Sequence, residues 1–398
     1  MTGFLKTVLC TIKNAVGSRD TFLIFAIASL FYLVFYALPY ENQIIVRIPT
    51  AVVDMDQTQR SQDFVNKILS AQTVDARLIT PDYQEAKDLF ARNEVDAIVV
   101  IGEEFSRDLE PGEPVAVQVF SNGALPVKGR AVSSSLLTIV AEENTVEVVS
   151  RLVHKGLNPT VAKSMSQAAP TMVSQDLFNN VGGYGYYTVP LVAVVIVQAV
   201  MFFGIGIALG QWLDSKEKPA FITEAFKSKR GLLAVFTGFT LIAFFWGLFL
   251  ETLGLTLLGM PTFMDAGATV AALFAFALSV SSLAMLLTLL VGTYRYAPAL
   301  VLASAPSVFL CGLVFPMENF AAWVIPFAWM IPTTPACQAL VFASQEGASL
   351  SQIAHLVGAS LLQFAVYGSL MLFVFSKRYQ KQTSAGRVRS LIAISGDC

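Results

Sequence analysis

Few residues in this sequence stand at spacings that would support catalysis or metal binding. Asp54 and Asp56 form a D-x-D pair, an arrangement that in some enzymes holds a metal ion on a nucleotide sugar. No third ligand lies nearby, so a turn after a strand, with Asp56 capping the next helix, explains the pair better. His154 and His355 are the only histidines, and neither has partners for a metal site or a catalytic triad. We therefore expect no catalytic residue, no bound cofactor and no metal ligand in this chain.

The chain also lacks a phosphate-binding loop. The motif G-x-x-x-x-G-K-[ST], whose backbone amides cradle phosphates, does not occur in it. The nearest glycine-rich run, GGYGYY at 182–187, has no lysine and precedes a long apolar run. A flexible joint explains this run better than a ligand loop. If ATP drives the work of this protein, a separate chain must hydrolyse it.

The composition excludes an ordinary soluble protein. Of the 398 residues only 14% are charged, against ~25% in soluble globular chains, and 55% are hydrophobic. The formal net charge of −2, with no basic stripe, argues against a nucleic-acid partner. Residues 41–183 hold 31 of the 54 charged side chains, whereas residues 231–376 hold five. We infer a polar domain inserted into a membrane protein, whose apolar remainder faces the lipid bilayer.

Long uncharged runs predict six membrane spans. About 20 helical residues cross a ~30 Å hydrocarbon layer. The first run, 21–40, is too long for a signal peptide and has no cleavage site. The segment 316–350 contains four prolines, too many for one straight helix, and predicts re-entrant half-helices. The other spans are predicted at 187–210, 232–256, 267–291, 297–315 and 351–376.

The distribution of lysine and arginine predicts the orientation. With the N-terminus inside, the cytoplasmic segments carry 14 Lys and Arg, whereas the external segments 257–266 and 316–350 carry none. Both termini are then cytoplasmic. The predicted organisation is a cytoplasmic amphipathic interface helix (1–20), a first transmembrane helix (21–40), an extracytoplasmic domain (41–185), transmembrane helices 2 to 6 (186–376) with a cytoplasmic loop (211–231), and a cytoplasmic basic tail (377–398).

The polar domain shows strands that alternate with helices. Pro81 and Asp82 stand where a helix begins, and residues 125–154 follow a long helical pattern. This alternation predicts an α/β domain with one sheet. Its strands are predicted at 46–53, 74–79, 95–101 and 114–120.

Two amphipathic stretches flank the apolar runs. One helical face within 1–20 is apolar, which suits a helix lying in the membrane interface. It carries Phe4, Leu5, Val8, Leu9, Ile12 and Val16. In the loop 211–231, Phe221 and Phe226 form an apolar knob with Glu224 between them. The knob is explained equally well as an anchor to the interface and as a docking surface for a partner.

Three segments, in this order and spacing, resemble the permease subunit of ABC-2 type transporters. They are similar to the branch with a large extracytoplasmic domain between the first and second spans. AVVDMDQTQRSQDF (51–64) resembles its opening strand, and EAKDLFARNEVDAIVVIGEEFSRDL (85–109) its second helix and strand. The stretch 310–340 is similar to the family's G-x-x-F-P segment and re-entrant turn, carried here by Gly312, Phe315, Pro316, Pro326 and Pro332. The loop SKEKPAFITEAFKSKR departs from the family's Arg/Glu-rich pattern, so only Phe221, Glu224 and Phe226 are carried over as ATPase-coupling residues.

The resemblance implies a polytopic α-helical membrane protein that forms half of an exporter in the bacterial cytoplasmic (inner) membrane. It implies two copies of an ABC ATPase subunit that bind ATP and Mg, and a second permease, identical or paralogous. A periplasmic membrane-fusion adaptor is a further expected partner. The alternative is a membrane-anchored envelope binding or scaffold protein without an ATPase. A proton-driven transporter is disfavoured because Glu251, Asp265, Glu318 and Glu346 fall near span ends rather than in pairs within the membrane.

Overall fold

The structure is a computed structural model. The structure describes residues 2–38, 45–109, 117–122, 126–168, 183–215, 218–260 and 264–380. The chain divides into two compact units. We call Met1–Gln43 with Asp176–Cys398 the helical unit, and Ile44–Gln175 the sheet unit. The basic tail predicted at 377–398 lies outside the described residues after position 380.

The helical unit begins with two helices, α1 (Thr2–Gly17) and α2 (Arg19–Ala37). The predicted helix within 1–20 is therefore confirmed as a helix. Its inward face carries Val8, Thr11 and Ala15, all buried, whereas Leu5 and Leu9 of the predicted apolar face are 60% and 59% exposed. Only part of that apolar face is therefore used for packing inside the unit.

The sheet unit alternates strands and helices as predicted. Its four-stranded sheet has the order β2-β1-β3-β4, in which β1 is parallel to β2 and β3, and β4 is antiparallel to β3. The elements are β1 (Ile48–Asp54), α3 (Gln59–Ser70), β2 (Val74–Thr80), α4 (Tyr83–Ala91), β3 (Ala97–Ile101), α5 (Phe105–Leu109), β4 (Val117–Ser121), α6 (Pro126–His154) and α7 (Pro159–Ala168).

Both faces of the central strands are buried in the sheet unit. Val52 packs with Phe64 of α3 and Leu136 of α6 on one face, and Val53 packs with Ala86 of α4 on the other. Burial on both faces explains why β1 and β3 are continuous apolar runs rather than alternating ones.

Of the two helix caps predicted in the sheet unit, the one at Asp82 is confirmed and the one at Asp56 is wrong. The Asp82 side chain accepts a hydrogen bond from the Gln84 backbone N–H (2.8 Å), which confirms it at the start of α4. Asp56 was expected to cap α3, but Thr58 does so, in a reciprocal capping box with Ser61. Asp56 instead accepts hydrogen bonds from the hydroxyls of Thr58 (2.6 Å) and Ser106 (2.5 Å). A hydroxyl that can both donate and accept satisfies Asp56 and the helix end together.

The helical unit resumes after the sheet unit. Within the described residues, five helices are long and apolar enough to cross a membrane: α2, the Thr188–Asp214 part of α8, α10, α11 and α16. Helix α11 packs against α8, α10, α15 and α16, which accounts for its nearly uniform apolarity. The elements are α8 (Tyr184–Asp214), α9 (Ala220–Ala225), α10 (Lys229–Leu257), α11 (Ala266–Val291), α12 (Ala297–Ser304), α13 (Ser307–Leu310), α14 (Val324–Trp329), α15 (Thr333–Gln345) and α16 (Leu350–Tyr379).

The predicted fifth span, 297–315, is not a continuous helix. The chain breaks between α12 and α13, where the Ala305 N–H bonds to the Leu302 carbonyl in a tight turn (3.2 Å). Pro306 has no N–H to donate, and its ring would clash with the carbonyl four residues earlier, which favours a break in the helix here. The other predicted spans after the polar domain correspond to α8, α10, α11 and α16.

Candidate functional site

The first candidate region is the connection between α8 and α10, which contains α9. Phe226 follows α9 and is 5% exposed. Its ring centroid lies 5.2 Å from that of Phe375 and 6.0 Å from that of Tyr379, both on α16. Phe226 thus holds α9 against the end of α16.

The other two predicted coupling residues face different surroundings. Phe221 is partly buried, and its ring lies edge-on to Trp212 at 5.3 Å between centroids. Ile222 is fully buried beside it. The Glu224 side chain is 72% exposed and forms an ion pair with Lys227. The apolar knob therefore packs inside the helical unit, and of the three residues Glu224 is the one presented to solvent.

A recess lies between α1 and the segment that follows α9. We call this cavity of about 280 Å³ the α1–α9 recess. Gly231 at its floor is packed so tightly that an added Cβ would lie 2.1 Å from the Ala225 carbonyl oxygen. The recess is lined by Gly3, Phe4, Thr7, Glu224, Ala225, Ser228, Arg230 and Gly231.

The second candidate region is the broken-helix segment that carries the motif residues. Gly312 has φ +83°, a left-handed conformation that favours glycine, and an added Cβ would lie 2.9 Å from Gln338 Nε2. The same nitrogen donates to the Cys311 carbonyl (2.9 Å). Phe315 stacks on Phe320 with ring centroids 6.0 Å apart. Gly312 thus provides the sharp turn that ends the preceding helix.

The three prolines of the motif mark helix boundaries. Pro316 precedes a 3-10 turn at Met317–Asn319, and Pro332 is the N-cap of α15. Pro326 lies in the first turn of α14, where the missing N–H removes no helical hydrogen bond. The structure therefore gives these prolines positions where the proline ring is tolerated.

The turn between α14 and α15 is held by polar side chains from three long helices. The Gln363 Nε2 donates to the carbonyls of Trp329 (2.8 Å) and Ile331 (3.2 Å). Its Oε1 accepts from the Ser279 hydroxyl (2.8 Å). Gln198 Oε1 accepts from the Thr333 backbone N–H (3.2 Å). Because Gln198, Ser279 and Gln363 stand near the midpoints of their helices, the turn reaches the middle of the bundle.

Sequence reasoning missed this polar cluster. It counted charged residues in the apolar runs and passed over uncharged polar ones. Gln198 and Gln363 are large amides in long apolar helices, fully and nearly fully buried. A buried amide needs hydrogen-bond partners, so each glutamine was a usable signal.

Glu251 is a buried carboxyl in the helical unit. It lies within α10, its side chain is 1% exposed, and neither oxygen has a hydrogen-bond partner within the described part of the chain. The proton-driven transporter that the sequence disfavours would need a second carboxyl beside Glu251 to relay protons. Asp265 lies between α10 and α11. It caps α11, because its side chain accepts a hydrogen bond from the Ala268 N–H (2.8 Å).

The residues considered for metal binding are engaged in local hydrogen bonds. Asp54 accepts from the Gln57 N–H (3.1 Å) and the Ser61 hydroxyl (2.8 Å). His154 is exposed, and its Nδ1 lies 2.8 Å from the Ser150 carbonyl on the same helix. No group of three or more His, Cys, Asp and Glu that could hold a metal occurs among the residues the structure describes.

Comparison with known proteins agrees with the resemblance. A family profile described as ABC-2 family transporter protein matches residues 20–373, which is most of the chain. No curated protein and no solved structure matches the chain. The apolar helices of the helical unit make the chain a multi-pass membrane protein. With the profile covering most of its length, this protein belongs to the ABC-2 family of transporter proteins.

Proposed function

We propose that the protein is the membrane-spanning subunit of an ATP-driven exporter, with ATP hydrolysed by a separate subunit. Membership of the ABC-2 family supports a permease that associates with an ABC ATPase. The observation that carries the docking proposal is the α1–α9 recess. Its wall includes the exposed Glu224 side chain, while the neighbouring Phe226 is turned inward and holds α9 in place.

In the proposed topology the chain crosses the membrane six times with both termini in the cytoplasm. The pair α12 and α13 provides the fifth crossing, and the sheet unit lies outside. The absence of Lys and Arg from 257–266 and 316–350 supports this orientation. Gln363 donates to the Trp329 carbonyl and Gln198 accepts from the Thr333 N–H. These contacts of mid-helix side chains with the turn at 329–333 support a re-entrant segment.

The proposed assembly contains two such permeases, identical or paralogous, and two ATPase subunits that carry ATP and Mg²⁺. Large apolar side chains on the α12–α14 segment support a permease contact there. Leu302 is 74% exposed and Trp323 is 72% exposed. A periplasmic adaptor would engage the sheet unit.

Purification of the tagged protein from its native membrane, in mild detergent, tests the ATPase partner. Mass spectrometry should identify a P-loop ATPase in stoichiometric amount. Thr7→Trp, which fills the α1–α9 recess, should reduce its recovery several-fold. Leu5→Trp, at an exposed position on the same helix, should leave recovery unchanged. A preparation that retains envelope proteins but no ATPase would favour the scaffold alternative.

The topology is tested by labelling introduced cysteines in intact cells with a membrane-impermeant maleimide. Glu142→Cys, at an exposed position of α6, should react in intact cells. Lys227→Cys, beside α9, should react only after the membrane is permeabilised. Each signal is compared with that of the unmodified protein. Labelling of position 227 but not 142 in intact cells would reverse the proposed orientation.

A further inference from the structure

The strand order of the sheet unit creates a crevice at one edge of the sheet. After β1 the chain adds β2 on one side, then crosses over to place β3 on the other side. The carboxyl ends of β1 and β3 are therefore neighbours from which the chain departs in opposite directions. In open α/β sheets, ligands bind in the crevice at such a switch point.

Two adjoining cavities occupy this position. The inner cavity, about 260 Å³, is lined by Met55 after β1, Gly102 after β3, and the side chains of Tyr83 and Phe120. The outer cavity, about 500 Å³, shares Met55 and Tyr83 with it, so the two form one groove. We call it the switch-point groove. Its combined size is that of a small organic ligand.

The groove is open because the two faces of the sheet are covered unequally. On one face α3 and α6 pack against the strands, whereas among the described residues α4 alone packs against the other. Gln118 and Phe120 of β4 pair with Val100 and Ile98 of β3 and share this second face. Phe120 remains 43% exposed, with its ring 5.8 Å from that of Tyr83. Two aromatic rings therefore form an accessible apolar wall.

The outer part of the groove is acidic. Asp82 and Glu103 line it, and no Lys or Arg lines either cavity among the residues that the structure describes. Asp82 Oδ1 accepts a backbone hydrogen bond from Gln84, and Glu103 is exposed with no ion pair to any described residue. The carboxylate of Glu103 is thus available to a ligand, next to rings whose faces attract cations.

We propose that the switch-point groove binds a small organic cation that carries an apolar group. The apolar group fills the inner cavity against Met55, Tyr83 and Phe120. The positive charge lies in the outer cavity beside Glu103 and Asp82, where aromatic faces add a cation–π attraction. This site is independent of the ATPase docking proposed above, because it is built entirely from residues of the sheet unit.

Isothermal titration of the full-length protein in lipid nanodiscs tests the site. Benzyltriethylammonium is the probe, benzenesulfonate is the anionic counterpart, and empty nanodiscs correct for lipid partitioning. The cation should bind and the anion should not. Added salt should weaken binding, since part of the attraction is between exposed charges.

Variants locate the binding. Glu103→Gln and Phe120→Ala should each weaken binding of benzyltriethylammonium about two- to fivefold, the range for exposed cation attractions of ~0.5–1 kcal/mol. Glu142→Gln is the matched control, because α6 packs on the opposite face of the sheet and Glu142 is exposed. If Phe120→Ala fails to fold, the Glu103→Gln variant still tests the cation site, because position 103 is exposed.

Three results would overturn the proposal: no binding of the cation, equal binding of cation and anion, or the same affinity in Glu103→Gln as in the unmodified protein. The titration contains no ATPase, so its outcome is separable from that of the purification experiment. Cation binding without a copurified ATPase would support the ligand site in the switch-point groove and contradict the exporter proposal.

Discussion

The Nε2 of Gln363 donates a 2.8 Å hydrogen bond to the backbone carbonyl of Trp329. This contact joins the middle of α16 to the turn between α14 and α15, in the interior of the helical unit. A backbone carbonyl outside regular helix needs another donor, and the Gln363 side chain, 7% exposed, supplies it, so the glutamine is part of what allows the chain to turn there.

Replacing this glutamine should destabilise the helical unit. Gln363→Met keeps the size of the side chain but leaves the carbonyls of Trp329 and Ile331 without their donor. Each unsatisfied buried group costs ~1–3 kcal/mol, so the midpoint of thermal unfolding in detergent should fall clearly. Leu362→Met, at the neighbouring position that is 66% exposed, is the control and should change little. Equal midpoints for the two variants would contradict the role assigned to Gln363.

Two glycines should respond in opposite ways to the same substitution. Gly312→Ala forces a side chain into a left-handed conformation (φ +83°) and against Gln338, so it should cost ~1–3 kcal/mol. Gly358→Ala lies in α16 with open space around the added methyl, so stability should be unchanged or rise by up to ~1 kcal/mol. Thermal unfolding of both variants compares them directly. A neutral Gly312→Ala would mean that the turn is not held in this conformation.

Cys311 and Cys337 should form a disulfide when the protein is oxidised. Both are buried free thiols. Their segments lie side by side, because Gln338 Nε2 donates to the Cys311 carbonyl (2.9 Å) and the Thr334 hydroxyl donates to the Leu310 carbonyl (3.4 Å). Oxidation with diamide transfers the two electrons of the thiols to the azo reagent and joins the sulfur atoms. Peptide mapping by mass spectrometry should find the linked peptides, and Cys337→Ser should abolish them. Absence of the linked peptides after diamide treatment of the folded protein would contradict the proximity of the two thiols.

Substitutions of Phe226 and Glu224 should distinguish packing of α9 inside the helical unit from docking of the ATPase. Phe226→Ala removes a buried ring packed against Phe375 and Tyr379, and should cost ~3–5 kcal/mol of stability. Glu224→Gln changes an exposed side chain and should leave thermal unfolding unchanged. If the α1–α9 recess is the docking site, Glu224→Gln should still lower the recovery of the ATPase. A large loss of stability in Glu224→Gln would instead make its ion pair with Lys227 structural.

The long elements follow from the sequence because their signals are local. Uncharged runs of more than 20 residues predict helices wherever they occur, and α8, α10, α11 and α16 lie where such runs are. Alternation of apolar strands with polar helices likewise predicts the single sheet of the sheet unit. The break at Pro306 was also a local signal, although the length of the apolar run concealed it.

Contacts between distant residues were decided by the tertiary structure alone. The amphipathic pattern around Phe226 is the same whether its ring faces a partner or the end of α16, and only packing distinguishes the two. The partners of Gln363 lie more than 30 residues away, and those of Gln198 further still, so no spacing rule relates them. The switch-point groove exists because β1 and β3 became neighbours, and strand order is set by crossover connections rather than by any residue within the strands.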